Sequence, residues 1–337
     1  MTNVRDIFIT EVALRDESHA ISHQYTVEQV LNVAKALNDA GVPYIEVSHG
    51  DGLSGSSLQY GLSRTNEMEL IEAAVSVANQ SKIAVLLLPG IGTVKELKEA
   101  AKLGAKMARI ATHVTEADVS AQHIQVAKEL GMETVGFLMM SHMAPAEKLV
   151  EQAKLMESYG ADTVYVVDSA DALLPNDVRE RIRALKQSVS INIGFHAHNN
   201  LSLAMANSLA AIEEGATRID GSVRCLGAGA GNTQTEVLVA VLERMGIKTG
   251  IDLYKMMDLA EEIVASILQT PQEITRDSLV LGYAGVYSSF ALHAKRAAAK
   301  FGIDSRDILV ELGKRKVVGG QEDMIVDVAA EIARAKA

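Results

Sequence analysis

The sequence predicts an α/β fold, a (β/α)8 barrel at residues 1–250 followed by a small all-helical C-terminal domain at residues 251–337. Three observations support this fold class. Apolar, β-branched runs alternate with helix-period segments through residues 5–246. The runs number eight, and strands that are apolar on both faces are typical of a parallel sheet covered by helices. The strand pattern then stops after Gly246, so the remaining residues form a separate helical part.

The predicted strands follow one another at regular spacing. They are Ile7–Leu14, Tyr44–Ser48, Ile83–Leu88, Met107–Thr112, Thr134–Met140, Thr163–Asp168, Ile191–His196 and Arg218–Val223. Eight β/α units are the number that closes a TIM barrel of about 250 residues. An open doubly wound sheet is the alternative, but its usual G-x-G-x-x-G motif does not follow the first strand here.

The helices carry their own start and stop signals. Thr26-Val-Glu-Gln29 and Thr93-Val-Lys-Glu96 match the capping box that begins a helix. Glycines that can end a helix in a left-handed conformation are Gly41, Gly104, Gly131, Gly160 and Gly215. Beyond the barrel, helices are predicted at 253–269, 276–300, 304–313 and 322–336, and on the second of these Tyr283 and Tyr287 would share a packing face.

Composition narrows the class of protein. The formal net charge of −11 and the lack of a lysine- or arginine-rich run argue against nucleic acid or an anionic membrane as a partner. The N-terminus opens with charge rather than with a signal or transit peptide, and no apolar run approaches the length of a membrane span. The single cysteine, Cys225, excludes an internal disulfide and suits a reducing cytoplasm. We therefore expect a soluble cytoplasmic protein.

Candidate metal ligands lie at the ends of two predicted strands. His196 and His198 are two residues apart, so a strand would point both imidazoles to one face. Asp16 follows the first strand, which in a closed barrel lies beside the eighth strand and near the seventh. Two imidazoles and one carboxylate with open positions describe a catalytic divalent-metal site. The alternatives are a hydrogen-bonded strand end for the histidines and a helix cap or salt bridge for Asp16.

The distribution of histidines favours a functional barrel mouth. Six of the nine stand at predicted strand ends: His19, His49, His113, His142, His196 and His198. In this fold the chemistry sits at the carboxyl ends of the strands, and core packing gives no reason to collect histidines there.

A metal at this site suits carbanion chemistry. An α-keto acid can chelate a divalent cation, which then stabilises the developing enolate as a Lewis acid, and Arg15 could add a second positive charge. The alternative aldolase mechanism forms a Schiff base and needs a lysine at a strand's carboxyl end. The predicted strand ends contain none.

These motifs resemble a known superfamily. Leu14-Arg15-Asp16, His196-Ala-His198 and Gly229-Ala-Gly-Asn232 resemble the metal-dependent pyruvate aldolases and Claisen synthases, which include isopropylmalate synthase and HMG-CoA lyase. Ala13-Leu-Arg-Asp-Glu-Ser-His19 is most similar to one branch, the 4-hydroxy-2-oxovalerate aldolases of aromatic meta-cleavage pathways. The resemblance extends over essentially the whole chain.

The resemblance implies roles for individual residues. Asp16, His196 and His198 would hold the metal, Mn²⁺ in this family, and His19 would be the catalytic base, with Arg15 stabilising the pyruvate enolate. The substrate contacts would come from Arg15, Asp16, Ser169, His196 and Tyr287. Glu46, at the end of the second strand, could orient Arg15 as an ion-pair partner, or it could make an ordinary core or surface pairing.

The resemblance also implies a reaction and a partner. The reaction is retro-aldol cleavage of 4-hydroxy-2-oxopentanoate to pyruvate and acetaldehyde. The aldehyde would be channelled to an acylating acetaldehyde dehydrogenase that docks on the C-terminal domain, in a hetero-oligomer with a dimeric aldolase or dehydrogenase core. Two alternatives are a Claisen-type or HMG-CoA lyase-like enzyme of the same superfamily and a non-catalytic barrel that serves as a scaffold.

Overall fold

The structure, a computed structural model, describes residues 7–268 and 270–336. Its centre is a closed barrel of eight parallel strands in chain order, with the last strand paired to the first. The strands are β1 Phe8–Glu11, β2 Tyr44–Glu46, β3 Lys82–Leu87, β4 Met107–His113, β5 Glu133–Met139, β6 Thr163–Asp168, β7 Asn192–Ala197 and β8 Arg218–Gly221. The predicted barrel is confirmed and the open-sheet alternative is excluded.

Helices cover the outside of the barrel. They are α1 Val27–Asp39, α2 Glu67–Val77, α3 Val94–Leu103, α4 Ala121–Glu129, α5 Ala146–Tyr159, α6 Pro175–Ser188, α7 Ala204–Glu214 and α8 Thr235–Arg244. Both predicted capping boxes are present, at the starts of α1 and α3. The five glycines predicted to end helices all have positive φ angles, which confirms that they terminate the helices as expected.

Three strands end two or three residues earlier at the barrel mouth than predicted. β1 ends at Glu11, β2 at Glu46 and β8 at Gly221. After β1 the chain turns at once, because the amides of Arg15 and Asp16 both donate to the Val12 carbonyl, at 3.0 and 2.8 Å. Residues Asp16–His19 then form a 3₁₀ turn. The candidate residues after β1 therefore lie on a compact turn over the barrel mouth rather than on an extended strand end.

Apolar side chains form one layer inside the barrel and another between the strands and the helices. The inner layer includes Phe137 and Tyr165, and the outer layer includes Ile193 and Phe195 of β7. The His196 ring lies inside, with its centroid 5.4 Å from that of Phe137. Burial of Ile193 and Phe195 on the outer face of β7 thus directs the alternate residues, including His196, into the barrel.

The C-terminal helices fall into two groups. The first group is α9 Leu253–Asp258, a π-helical segment Leu259–Val264 and α10 Ala265–Ile267, and it packs in the same apolar cluster as the barrel. The second group has an apolar cluster of its own and comprises α11 Arg276–Ala284, α12 Phe290–Phe301, α13 Ser305–Lys314 and α14 Asp323–Lys336. The exact division of the chain at residue 250 stays a prediction.

The prediction of a single helix at residues 276–300 is wrong. α11 ends at Ala284, the next residue Gly285 has a left-handed φ of +65°, and α12 begins only at Phe290. Tyr283 is exposed on α11, whereas Tyr287 lies in the connection between the two helices. The two tyrosines therefore do not share a packing face. Glycine at this position allows the reversal at little conformational cost.

Some predictions fall outside the described residues. These are the N-terminal residues 1–6, used to predict the lack of a targeting peptide, and residue 269, the last of the helix predicted at 253–269. Within the described residues, no helix combines the length and apolar character needed to cross a membrane.

Candidate active site

A cavity of about 440 Å³ opens at the carboxyl ends of the barrel strands. It brings together all the residues predicted for the site: Arg15, Asp16, His19, Ser169, His196, His198 and Tyr287. The cavity is also lined from the C-terminal part by Tyr287, Ser288, Ser289, Ala291, Leu292, His293 and Lys295. The barrel thus provides the proposed metal ligands, and the C-terminal part provides a portion of the wall.

The three candidate metal ligands converge. Asp16 Oδ2 lies 3.6 Å from His196 Nε2 and 3.5 Å from His198 Nε2. All three side chains are buried, and one donor atom from each lies within 4.8 Å of the others. Two imidazole nitrogens and a carboxylate oxygen around one point, with the cavity on the open side, fit a divalent cation that keeps positions for substrate.

Neighbouring groups orient both imidazoles. His196 Nδ1 lies 2.7 Å from Asp220 Oδ2, and His198 Nδ1 lies 3.1 Å from the Asp168 carbonyl oxygen. Each partner is an acceptor, so each Nδ1 carries the proton and donates it. The Nε2 atoms are then left as the ligand atoms, which is the usual arrangement at metal-binding histidines.

Asp16 is held by charge and by a tight turn. Burial alone would raise the pKa of the Asp16 carboxyl, but the Arg15 guanidinium and the two imidazoles keep it well below its usual value. Asn232 Nδ2 donates to Asp16 Oδ2 at 2.6 Å. Asn232 follows Gly231, which has φ +91° and where a Cβ would lie 1.6 Å from the Cys225 carbonyl oxygen. The chain therefore makes a close turn at Gly231 after β8, and this turn places the Asn232 side-chain amide against the metal ligand Asp16.

A chain of buried charges connects the two sides of the site. Arg15 Nη1 lies 2.8 Å from Asp16 Oδ1, and Arg15 Nε lies 2.8 Å from Glu46 Oε2, so the ion pair considered for Glu46 is present. Arg109 Nη1 lies 3.0 Å from the same Glu46 oxygen, and its Nη2 pairs with Asp220. Asp220 holds His196, so the chain runs from one metal ligand to another through two guanidinium groups.

Arg109 and Asp220 were not predicted from the sequence. Arg109 is fully buried, with its guanidinium carbon 4.4 Å from the Phe137 ring centroid and 4.7 Å from that of Tyr165. Its pKa is raised because the charges of Asp220 and Glu46 outweigh the effect of burial. The available signal was a charged residue inside an otherwise apolar strand, since a buried charge requires partners.

The remaining predicted residues line the cavity with donors. Ser169 Oγ accepts the Met140 amide at 3.0 Å, which leaves its own proton free to donate. Tyr287 Oη lies 3.1 Å from Met139 Sδ, and burial raises the pKa of the phenol, which therefore stays protonated. His19 lies at the cavity edge with its ring 5.1 Å from the His23 ring.

Other polar residues have positions that the sequence did not indicate. His142 Nε2 lies 3.0 Å from the Gly285 carbonyl oxygen, so this strand-end histidine holds the C-terminal connection rather than the metal centre. Lys295 also lines the cavity, and its Nζ pairs with Asp277 Oδ2 at 2.7 Å. It comes from α12 rather than from a strand end.

Family models match almost the entire chain. The HMGL-like family matches residues 6–263, and the DmpG-like communication domain matches residues 272–334. The chain is 82% identical to 4-hydroxy-2-oxovalerate aldolase from Geobacillus stearothermophilus over 100% of this chain and 98% of that protein. It is 61% identical to the enzyme of the same name from Carboxydothermus hydrogenoformans over 98% of both chains.

Solved structures agree on the fold. The carboxyl transferase domain of Rhizobium etli pyruvate carboxylase matches with a TM-score of 0.82 at 14% identity, over 99% of this chain and 61% of that chain. Bacillus subtilis HMG-CoA lyase matches with a TM-score of 0.68 at 22% identity, over 79% of this chain and 96% of that chain.

Proposed function

Because the chain belongs to the HMGL-like family and, within it, to the 4-hydroxy-2-oxovalerate aldolases, we propose that its cavity performs divalent-metal-dependent retro-aldol cleavage of 4-hydroxy-2-oxopentanoate. The protein is a carbon–carbon lyase, and the products are pyruvate and acetaldehyde. The observation that supports the site most strongly is the convergence of three metal-ligand atoms with the Arg15 guanidinium in one cavity.

Asp16, His196 and His198 hold the divalent cation, for which we propose Mn²⁺. When bound, the cation supplies a Lewis acid for the 2-oxo group of the substrate. Arg15 is a fixed positive charge beside Asp16, held by Glu46, so it stabilises the negative charge that develops on the substrate without having to reorganise.

His19 acts as the base in this proposal. It lies on the same 3₁₀ turn as Asp16 and lines the same cavity, where it takes the proton from the C4 hydroxyl as the C3–C4 bond breaks. Ser169 donates to the substrate carboxylate, and the protonated Tyr287 phenol contacts the substrate from the connection between α11 and α12.

The C-terminal helices are proposed to dock a second enzyme. The chain carries a DmpG-like communication domain at residues 272–334, and Tyr287 and Lys295 of that region line the cavity. The proposed partner is an acylating acetaldehyde dehydrogenase, in a cytoplasmic hetero-oligomer with a dimeric aldolase or dehydrogenase core. Direct transfer would keep the reactive aldehyde out of solution.

The test is pyruvate release by purified protein stripped of metal with a chelator. We expect no cleavage of 4-hydroxy-2-oxopentanoate in the stripped protein and recovery on adding Mn²⁺, with a lactate dehydrogenase assay detecting pyruvate. Parallel reactions with Mg²⁺ and Co²⁺ rank the metals, and a longer 4-hydroxy-2-oxo acid tests the preferred aldehyde. Full activity in the stripped protein would refute the metal role. Thiol release from acetyl-CoA with a 2-keto acid would instead indicate Claisen chemistry.

A further inference from the structure

A second group of potential ligands lies beside the proposed metal centre. One ligand atom from each of His19, His23 and Asp51 lies within 4.8 Å of the others. His19 and Asp51 line the cavity, whereas His23 is buried behind them. The proposed cleavage uses only His19 of these three, so the positions of His23 and Asp51 need another explanation.

The structure holds His23 as a neutral, oriented imidazole. Its backbone is left-handed, with φ +61°, and its Nδ1 lies 3.1 Å from Ser18 Oγ. The ring stacks on His49 with centroids 3.8 Å apart. Burial, followed by the neighbouring His19 and His49 rings, lowers the pKa of His23 to about 3. The Ser18 hydroxyl holds one ring nitrogen of His23. A cation bound at the other nitrogen would replace the ring's contact with the Tyr60 backbone.

The segment at 49–51 brings His19 and Asp51 together. A Cβ at Gly50 would lie 2.5 Å from His19 Nε2, so glycine allows the His19 ring to pack directly against this segment. His49 Nδ1 accepts the Asp51 amide at 3.1 Å, and His49 Nε2 lies 3.1 Å from the Gly61 carbonyl oxygen. His49 therefore supports the position of Asp51, and it lies outside the group of converging ligand atoms.

We propose that His19, His23 and Asp51 form a second cation site that selects a nitrogen-preferring divalent ion, with Zn²⁺ as the probe, and that occupancy inhibits the enzyme. Late first-row metals bind nitrogen-rich sites more tightly than Mn²⁺ does. A His19 imidazole whose lone pair is donated to a cation cannot accept the C4 hydroxyl proton. The inhibitory part rests on the proposed role of His19, whereas the binding part does not.

Binding is tested first, without any activity measurement. For the wild type, equilibrium dialysis followed by metal analysis should give two ions per chain with Zn²⁺ and one ion per chain with Mn²⁺. His23→Asn and Asp16→Asn should each retain one zinc ion, and the double variant should lose both sites. Asparagine is chosen at position 23 because it tolerates a left-handed backbone. His293→Asn is the matched control, since His293 lines the same cavity but lies outside the cluster, and it should still bind two ions.

Zinc binding to His23→Asn at the wild-type stoichiometry would overturn the proposed site. A single zinc ion in the wild type that is lost in Asp16→Asn would overturn it as well, because all zinc would then occupy the first site.

Inhibition is tested next on Mn²⁺-loaded enzyme. Zinc should reduce cleavage without releasing Mn²⁺, which electron paramagnetic resonance detects as the signal of the free ion. With each protein's rate expressed relative to its own zinc-free rate, His23→Asn should need at least about 10-fold more zinc than the wild type for the same fractional inhibition. Loss of activity in step with Mn²⁺ release, equal in both proteins, contradicts inhibition at the second site. Zinc binding without inhibition instead contradicts the role of His19 as base, so the two failures can be told apart.

Discussion

Replacing Arg109 with methionine tests whether the buried charge chain organises the metal centre. The substitution removes the guanidinium while keeping an unbranched side chain in the barrel interior. Arg109, Glu46 and Asp220 are essentially inaccessible to solvent. Removing one partner from a buried ion pair costs about 3–5 kcal/mol, because the other charge is left uncompensated. We expect Arg109→Met to lower the free energy of unfolding by an amount in this range.

The same change should reach the metal through Asp220 and His196. Burial would raise the pKa of Asp220, and the Arg109 charge is the main influence that holds it below its usual value. Without Arg109 the Asp220 pKa rises, and a protonated Asp220 holds the His196 Nδ1 proton less well. Loss of such a supporting partner typically weakens metal binding about 10- to 100-fold. We expect the dissociation constant for Mn²⁺ to increase by this factor.

The assay is an Mn²⁺ titration followed by electron paramagnetic resonance, with unfolding of the metal-free protein measured in parallel. Arg218→Met is the matched control, because Arg218 also lies on a barrel strand, stacks 4.5 Å from the Phe8 ring and pairs with Glu133 at 3.0 Å. It lies at the opposite end of the strands, so its loss should reduce stability without changing Mn²⁺ affinity. Unchanged affinity in a folded Arg109→Met protein, or an equal loss in Arg218→Met, would refute the reasoning.

Three further outcomes are expected. His19→Ala should keep Mn²⁺ affinity while kcat falls about 10²- to 10⁴-fold, the usual contribution of a general base, and equal loss of both would argue against that role. Burial would lower the pKa of His196, but hydrogen bonds to Asp16 and Asp220 raise it overall. Protons therefore compete with the cation for this imidazole, and the Mn²⁺ affinity measured by titration should fall as the pH decreases through that pKa. Gly285→Ala should lower stability by about 1–2 kcal/mol in thermal unfolding, because its φ of +65° is left-handed and its Cβ would meet His142 Nε2 at 3.1 Å; no change would show that the connection relaxes.

The predictable part of the site came from local spacing combined with barrel topology. His196 and His198 are two residues apart, so they were expected on one face of their strand. The pairing of β1 with β8 then brought Asp16 close to both histidines. Arg109 and Asp220 were missed for a different reason. They pair across the barrel interior from β4 and β8, and a single sequence does not specify which inward-facing charges meet there.

The C-terminal connection shows a second limit. An isolated glycine inside a helix-period segment is compatible with either a continuous helix or a break, so Gly285 did not decide between them. The break depends on tertiary contacts, among them His142 Nε2 at 3.0 Å from the Gly285 carbonyl oxygen. This contact joins the barrel mouth to the segment that carries Tyr287. The position of Tyr287 at the cavity therefore depends on the whole fold and could not follow from helical periodicity.

The turn after β1 explains why the metal centre and the base should respond together to some substitutions and separately to others. Asp16 and His19 are the first and last residues of one 3₁₀ turn, and residues three apart on such a turn lie on the same face. A change that shifts the turn therefore moves the metal ligand and the base as one unit, which should lower Mn²⁺ affinity and kcat together. Arg109 acts through Asp220 on His196, outside the turn, so its loss should weaken metal binding while the rate of the fully loaded enzyme falls less.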